Sequence, residues 1–159
     1  MITAIDTNIL LDVLGNDPRF GGLSGELLEK HAVEGALIIS PVVYTELLVF
    51  FLRKHQTSIA VSKLNEFLRD IDVRVINFDE RDLVLAAEAW AAFRGGRGIR
   101  CPSCSKEQAF SCSWCGSKIS WRNHIVTDFL IGAHAQNHAE YLATRDRGYY
   151  KKYFKVKVV

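Results

Sequence analysis

The sequence predicts an α/β fold in which a mostly parallel sheet is covered by helices on both faces. Short apolar runs typical of buried strands alternate with longer segments of helical periodicity. Strands that alternate with helices in this way form parallel sheets. The chain has 159 residues, of which 48% are hydrophobic and 24% charged. This length and composition fit one domain with a hydrophobic core of its own.

The first half of the chain contains clear boundary residues. ITAI (2–5) is a short apolar run typical of a strand, and a helical segment over 25–35 ends at a glycine. ALIIS (36–40) is typical of a buried strand. Ser40 and Pro41 then predict a helix start, because a serine hydroxyl caps free amides and proline suits the first helical position.

The remaining elements continue the alternation. Asp79 is the predicted cap of the helix that follows it. After Ser40 the predicted elements are, in order, helices over 41–54 and 57–71, a strand over 74–78, helices over 79–94 and 123–139, and strands over 141–144 and 156–159.

Composition excludes several classes of protein. The net charge of +2 is too small to indicate nucleic-acid binding on its own, so any basic surface must be local. The first residues carry no basic segment and reach Asp6 early, so no signal peptide is expected. The longest apolar stretches, such as LLVFFL, fall far short of the roughly 18 residues of a membrane span. We therefore expect a cytoplasmic protein.

Four acidic residues are placed to meet at one edge of the sheet. Asp6 directly follows the first strand, and Glu46 lies early in the helix after the second. Asp146 comes two residues after the strand over 141–144, and Asp128 lies near the start of the preceding helix. Ligands of open parallel sheets bind outside the carboxyl ends of the strands, where these acids converge.

Four carboxylates in one crevice repel one another unless cations neutralise them. Ligands that are all oxygen suit Mg²⁺ or Mn²⁺, which support phosphodiester hydrolysis by activating water and stabilising the leaving oxygen. Each acid also has an ordinary interpretation, as a turn residue for Asp6 and Asp146 and a helix-start acid for Asp128. Glu46 fits this interpretation less well, because it interrupts an apolar helix face.

Four segments in order resemble the successive motifs of the PIN-domain nucleases, and are especially similar to the VapC-type toxins of toxin–antitoxin pairs. The segments are IDTNILLDVL (5–14), PVVYTELL (41–48), TDFLIGAHA (127–135) and LATRDRGYYKKYF (142–154). The resemblance covers nearly the whole chain apart from a cysteine-containing segment. The four acids of the family correspond here to Asp6, Glu46, Asp128 and Asp146.

The resemblance implies a PIN-like fold and Mg²⁺- or Mn²⁺-dependent endoribonuclease activity on structured or single-stranded RNA. It also implies a homodimer. A small antitoxin is the implied protein partner, with its C-terminal segment lying across the active-site groove.

Polar residues beside these motifs are candidates for supporting roles. Asn8 and Thr144 are predicted to hold the carboxylates, although both are also ordinary turn residues. The basic residues that follow the last acidic motif are interleaved with tyrosines, a pattern that suits phosphate contact and base stacking. They are Arg145, Arg147, Lys151 and Lys152. The alternative for this run is a solvated surface.

Two histidines have a spacing that occurs in metal sites. His134 and His138 are one helical turn apart, but they lack the glutamate of the H-E-x-x-H motif. We therefore interpret His134 as a partly buried polar residue and assign neither histidine to a metal.

The cysteines of the chain form one cluster with the spacing Cys-x2-Cys-x7-Cys-x2-Cys: Cys101, Cys104, Cys112 and Cys115. Two such pairs predict a closed structural Zn²⁺ site with four thiolate ligands. Disulfides are the alternative, which a cytoplasmic location disfavours. PIN relatives connect the flanking helices by a short segment, so we interpret residues of about 97–121 as an inserted zinc ribbon.

Three functions remain open from the sequence. The first is a ribonuclease toxin of a toxin–antitoxin pair. The second is a housekeeping RNA-processing or DNA-repair nuclease of the same fold. The third is a non-catalytic nucleic-acid-binding module that reads its ligand through the zinc knuckles, although the presence of all four acids argues against it.

Overall fold

A computed structural model describes residues 1–93, 99–100, 107–108, 110–119 and 127–159. Within these ranges the elements are, in order, β1 (Ile2–Ile5), α1 (Thr7–Leu14), α2 (Gly21–Glu34), β2 (Ala36–Ile39), α3 (Pro41–Leu52), α4 (Thr57–Asp70), β3 (Val73–Val75), α5 (Glu80–Ala92), β4 (Ile99–Arg100), β5 (Glu107–Gln108), β6 (Phe110–Ser111), β7 (Lys118–Ile119), α6 (Thr127–His138), β8 (Tyr141–Ala143), α7 (Arg147–Tyr153) and β9 (Lys157–Val158).

Five parallel strands form the central sheet, in the order β3-β2-β1-β8-β9. β1 lies between β2 and β8, so that Thr3 pairs with Leu37 on one side and with Tyr141 on the other. The strands contribute buried apolar residues to a core that the helices complete, including Ile5, Ile39 and Leu142. The predicted α/β architecture with a parallel sheet flanked by helices is confirmed.

The structure departs most clearly from the sequence prediction at β3, α2, α1 and α7. The strand predicted over 74–78 ends at Val75, because the chain must leave the sheet to reach the cap of α5 at Asp79. The first long helix begins at Gly21 instead of residue 25. The short helices α1 and α7 are absent from the sequence prediction, which interpreted both segments as motifs following a strand.

α1 is nevertheless important for the site, because it begins immediately after β1. The carboxylate of Asp6 accepts a hydrogen bond from the backbone N–H of Thr7 and thereby caps the helix. Ile9 and Leu10 on α1 are buried in the core. This packing fixes the direction in which the chain leaves the sheet at Asp6.

Gly132 lets the C-terminal segment pack against α6. A Cβ atom at this position would lie 2.3 Å from the ring of Phe154, which is buried against the helix. No real Cβ contact is that short, so only glycine leaves room for the aromatic ring. The C-terminal segment, including β9, is thereby held against the central sheet.

The predicted insert over 97–121 contains short antiparallel pairs, β4 with β5 and β6 with β7. Cys101 and Cys104 lie outside the described residues. Cys112 and Cys115 lie in the turn between β6 and β7, with no disulfide between them. Among the helices of the described part of the chain, none is both long and apolar enough to cross a membrane.

Candidate active site

The four acids predicted from the sequence line one pocket of about 250 Å³. Asp6 comes from the end of β1, Glu46 from α3, Asp128 from the first turn of α6 and Asp146 from the segment after β8. The pocket lies at the carboxyl ends of the central strands, and the side chain of Tyr150 forms part of its wall. Segments far apart in the chain thus bring four carboxyl groups together.

Asp6 is the most enclosed of these acids, with 6% of its surface exposed. Its Oδ1 accepts the backbone N–H of Thr7 at 2.7 Å, and its Oδ2 accepts the amide of Asn8 at 2.7 Å and the hydroxyl of Thr144 at 2.6 Å. Burial raises the pKa of Asp6, the hydrogen bonds from Thr144 and Thr7 oppose that rise, and the charges of Glu46 and Asp146 add to it.

Glu46 is held by a residue that the sequence analysis missed. The hydroxyl of Thr7 donates a hydrogen bond to the carboxylate of Glu46. Ser40 caps the start of α3 and so places Glu46 one and a half turns into the helix. Thr7 lies next to Asp6 in the D-T-N motif, which was the available indication, but the contact itself depends on packing α1 beside α3.

The pKa of Asp128 is raised further than that of Asp6. Burial raises the pKa of Asp128 to about 6, with further contributions from the charges of Asp6, Glu46 and Asp146. Phe129, the next residue, is fully buried and anchors the first turn of α6 in the core. The carboxyl group is therefore held in the pocket despite the repulsion.

The donor set of the pocket fits a hard divalent cation. All four charged groups are carboxylates, and Mg²⁺ and Mn²⁺ prefer oxygen ligands. A cation would offset the repulsion between the carboxylates, which adds to the effect of burial on the pKa of Asp128. The residues that would hold it are Asp6, Glu46, Asp128 and Asp146.

Thr144 and Asn8 form a hydrogen-bond network around these acids. The Thr144 hydroxyl oxygen accepts the N–H of Asp146 at 3.0 Å and the side-chain amide of Asn8 at 3.1 Å, while donating to Asp6. The Asn8 Oδ1 accepts the N–H of Arg145 at 3.2 Å. The network ties the end of β1 to the segment that carries Asp146.

The basic residues after β8 lie in different environments. The guanidinium of Arg145 forms an ion pair with Asp12, with Nε 3.1 Å from Oδ2, and lies 4.4 Å from the ring centroid of Phe20. Lys151 and Lys152 are exposed on α7, whereas the side chain of Arg147 lies outside what the structure describes. Arg145 is thus already engaged by protein groups, which the sequence pattern did not indicate.

The two histidines lie away from the acid pocket, on the part of α6 that faces α5. His134 is fully buried, with Nε2 2.9 Å from the carbonyl oxygen of Ile76. His138 Nε2 lies 2.9 Å from Oδ2 of Asp82, and the two residues form a compact group with Asp79. His134 is therefore more deeply buried than the sequence analysis expected.

The group of Asp79, Asp82 and His138 has ligand atoms within 4.8 Å of one another, a geometry compatible with a metal ion. Its contacts already have a structural role. Asp79 and Asp82 form the capping box of α5, and Asp82 also accepts a hydrogen bond of 2.8 Å from the amide of Asn137. The group joins the start of α5 to the end of α6. The cap at Asp79 could be predicted from the sequence, whereas the link to α6 could not.

The family model for the PIN domain matches residues 3–155. This chain belongs to the PIN-domain family. No match is found among the curated proteins.

Solved structures share the fold over nearly the whole chain. VapBC2 from Rickettsia felis, bound to a DNA fragment from its promoter, is 20% identical, with a TM-score of 0.63 and coverage of 100% of this chain and 98% of that one. VapBC-1 from nontypeable Haemophilus influenzae is 17% identical, with a TM-score of 0.64 and coverage of 100% and 97%. VapC20 of Mycobacterium tuberculosis, a toxin that cleaves the Sarcin-Ricin loop, is 14% identical, with a TM-score of 0.53 and coverage of 96% and 95%.

Proposed function

We propose that this PIN-domain protein is a Mg²⁺- or Mn²⁺-dependent endoribonuclease and the toxin of a toxin–antitoxin pair. The observation that carries the proposal is the convergence of Asp6, Glu46, Asp128 and Asp146 in one pocket. Without a cation these carboxylates repel one another, and that repulsion adds to the burial that raises the pKa of Asp128. In this proposal the four acids are the catalytic residues.

A bound Mg²⁺ or Mn²⁺ would supply Lewis-acid activation of the attacking water and stabilise charge on the phosphate. The chain's own residues orient the ligands. Thr144 and Asn8 both donate hydrogen bonds to Oδ2 of Asp6. These bonds fix the orientation of the Asp6 carboxylate in the pocket. Thr7 does the same for Glu46. These contacts support the role of Asn8 and Thr144 as partners that orient metal ligands.

The RNA substrate and the antitoxin partner are proposed from the VapC-type motifs and from neighbours that are toxin–antitoxin complexes. Lys151 and Lys152 are exposed and directly follow Tyr150, which lines the pocket, and their charge suits contact with phosphate. We include Arg147 in this basic surface and also propose a homodimer. Arg145 is a weaker candidate for RNA contact because Asp12 already neutralises it.

The test of catalysis is RNA cleavage with Mn²⁺ by the wild type and by Asp6→Asn, Glu46→Gln, Asp128→Asn and Asp146→Asn. Each variant should fold but cleave RNA at least about 100-fold more slowly. Loss of a residue that only orients a metal ligand already lowers activity by about 10–100-fold, and these acids are the proposed ligands themselves. Glu66→Gln is the matched control, since this acid is exposed on α4 away from the pocket. Near-wild-type cleavage by two of the four variants would show that the assignment of the site is wrong.

A second experiment separates the three candidate roles. Induced expression of a toxin should arrest growth, Asp6→Asn should not, and a small protein encoded by the neighbouring reading frame should bind the chain and restore growth. Cleavage without growth arrest would favour a housekeeping nuclease. RNA binding without cleavage by the wild type would favour a non-catalytic module.

A further inference from the structure

Arg145, the residue before Asp146, connects three parts of the molecule. Its guanidinium pairs with the carboxylate of Asp12 on α1 and lies over the ring of Phe20, just before α2. Asp12 is only 4% exposed, and the hydroxyl of Ser24 on α2 donates to the same carboxylate oxygen at 2.8 Å. The buried Asp12 carboxylate is held by these two partners, and it therefore provides a fixed contact for the Arg145 side chain.

The residue after Arg145 is the fourth acid of the pocket. The backbone of this segment is held by two further hydrogen bonds, from the N–H of Arg145 to Asn8 and from the N–H of Asp146 to Thr144. The Arg145 side chain is directed to α1 and α2, whereas Asp146 lines the pocket. The anchored side chain therefore limits the positions that the neighbouring carboxylate can adopt.

We infer that Arg145 is a positioning residue that holds Asp146 in the acid pocket by pairing with Asp12 and packing on Phe20. The inference rests on the proposed function of the pocket, but it assigns Arg145 a role other than RNA contact. The segment after β8 carries no regular structure until α7 begins at Arg147, so it depends on such contacts for its geometry.

The sign of the change in Mn²⁺ affinity distinguishes a positioning role of Arg145 from simple charge repulsion. Arg145 is a cation close to a site for cations, so its removal should strengthen Mn²⁺ binding if its only effect is electrostatic repulsion. If Arg145 positions Asp146, its removal should weaken Mn²⁺ binding. The two explanations predict opposite changes in one measured quantity.

The experiment measures Mn²⁺ affinity by calorimetry, without RNA, and backbone amide exchange at Arg145 and Asp146 by NMR in the metal-free protein. Arg145→Met should bind Mn²⁺ about 10-fold more weakly, the size of effect seen when partners of metal ligands are lost. Its amide at Asp146 should exchange faster than in the wild type. Arg145→Lys, which keeps the charge and can reach Asp12, should recover most of the affinity.

Two further variants complete the design. Lys155→Met removes the same charge from an exposed position just after α7 and should leave Mn²⁺ affinity equal to or above that of the wild type. Asp12→Asn should weaken Mn²⁺ binding as Arg145→Met does. Because both substitutions break the same ion pair, the variant that carries both should bind Mn²⁺ as well as the more impaired single variant.

Either of two results would overturn the inference: Mn²⁺ affinity of Arg145→Met equal to or above the wild type, or unchanged exchange at the Asp146 amide. Failure of the proposed function looks different. It would appear as a wild type that binds no Mn²⁺, or as an Asp6→Asn variant that binds it like the wild type. The exchange measurement needs no metal and would still decide whether Arg145 holds Asp146.

Discussion

Thr144 donates a hydrogen bond of 2.6 Å from its hydroxyl to Oδ2 of Asp6, linking the ends of two adjacent strands. The same hydroxyl oxygen accepts the N–H of Asp146. One small side chain thus fixes the carboxylate of one acid and the backbone of another. Because both acids belong to the proposed metal site, Thr144 offers a sensitive test of how that site is organised.

Replacing Thr144 with valine should weaken Mn²⁺ binding by about 10-fold while the protein still folds. Valine keeps the shape of threonine but removes the hydroxyl that lowers the pKa of Asp6, so this acid would hold its proton more tightly. Calorimetry with Mn²⁺ measures the effect. Thr144→Ser keeps the hydroxyl and should bind like the wild type, and equal binding by the valine variant would contradict the prediction.

The contribution of Asp128 to the stability of the metal-free protein should fall as the pH rises from about 4 to above 6. The pKa of Asp128 is about 6 in the folded protein and 3.8 in the reference state, so the folded protein retains a proton that the unfolded chain releases. Ionisation is then penalised in the folded state, by up to about 3 kcal/mol from this group. Urea unfolding in EDTA at several pH values measures the trend.

Asp128→Asn is the variant that isolates this group. It should be more stable than the wild type in EDTA at pH 7.5 and close to it at pH 4, because it never has to ionise. Glu66→Gln should follow the wild type at every pH. Since Mn²⁺ competes with the proton for Asp128, Mn²⁺ affinity of the wild type should also rise with pH through about 6. An identical pH dependence for Asp128→Asn and wild type would contradict this account.

Gly132→Ala should destabilise the protein by about 1–3 kcal/mol, although alanine usually favours a helix over glycine. Its Cβ would lie 2.3 Å from the buried ring of Phe154. Gly25→Ala is the matched control, because it lies inside α2 with nothing within 4 Å of its Cβ, and it should stabilise by up to about 1 kcal/mol. Thermal and urea unfolding compare the two. A second change, Phe154→Leu, should recover part of the loss at Gly132.

Much of the fold could be predicted from short local patterns. The run over 2–5 is a strand in both the prediction and the structure, and Ser40 with Pro41 begins α3 as expected. These features depend on residues close in sequence. α1 was missed because its eight residues carry both a polar motif and buried apolar residues, so the segment was interpreted only through its motif.

Part of the candidate site could also be predicted from the sequence. The carboxyl ends of parallel strands meet at one edge, which is enough to bring Asp6 and Asp146 together. The contact from Thr7 to Glu46 and the ion pair between Asp12 and Arg145 were not predictable, because they depend on how α1 packs against α3 and against the segment after β8. Such contacts arise from tertiary packing and leave no spacing pattern in the sequence.

Two members of the cysteine cluster lie in the described part of the insert. Cys112 and Cys115 lie in a tight turn, in which the N–H of Cys112 donates to the carbonyl of Ser117 and the N–H of Gly116 donates to the carbonyl of Cys112, both at 2.8 Å. Gly116 has a φ of 71°, in the left-handed region that favours glycine. Hydrogen bonds with Ser117 lower the pKa of the Cys115 thiol, which favours the thiolate that a metal requires.

We therefore expect one Zn²⁺ per chain, bound by these two cysteines together with Cys101 and Cys104, as elemental analysis would measure. The insert is too short to bury a core of its own, so zinc should supply its folding free energy. Cys112→Ser should lose zinc and weaken RNA or partner binding, yet still cleave RNA slowly with Mn²⁺. Trp114, 95% exposed in the same turn, is the control: Trp114→Ala should keep zinc but weaken binding. This role would be refuted if the wild type contained no zinc, or if a zinc-free variant bound and cleaved RNA normally. Aggregation of Cys112→Ser would instead show that the insert stabilises the whole fold.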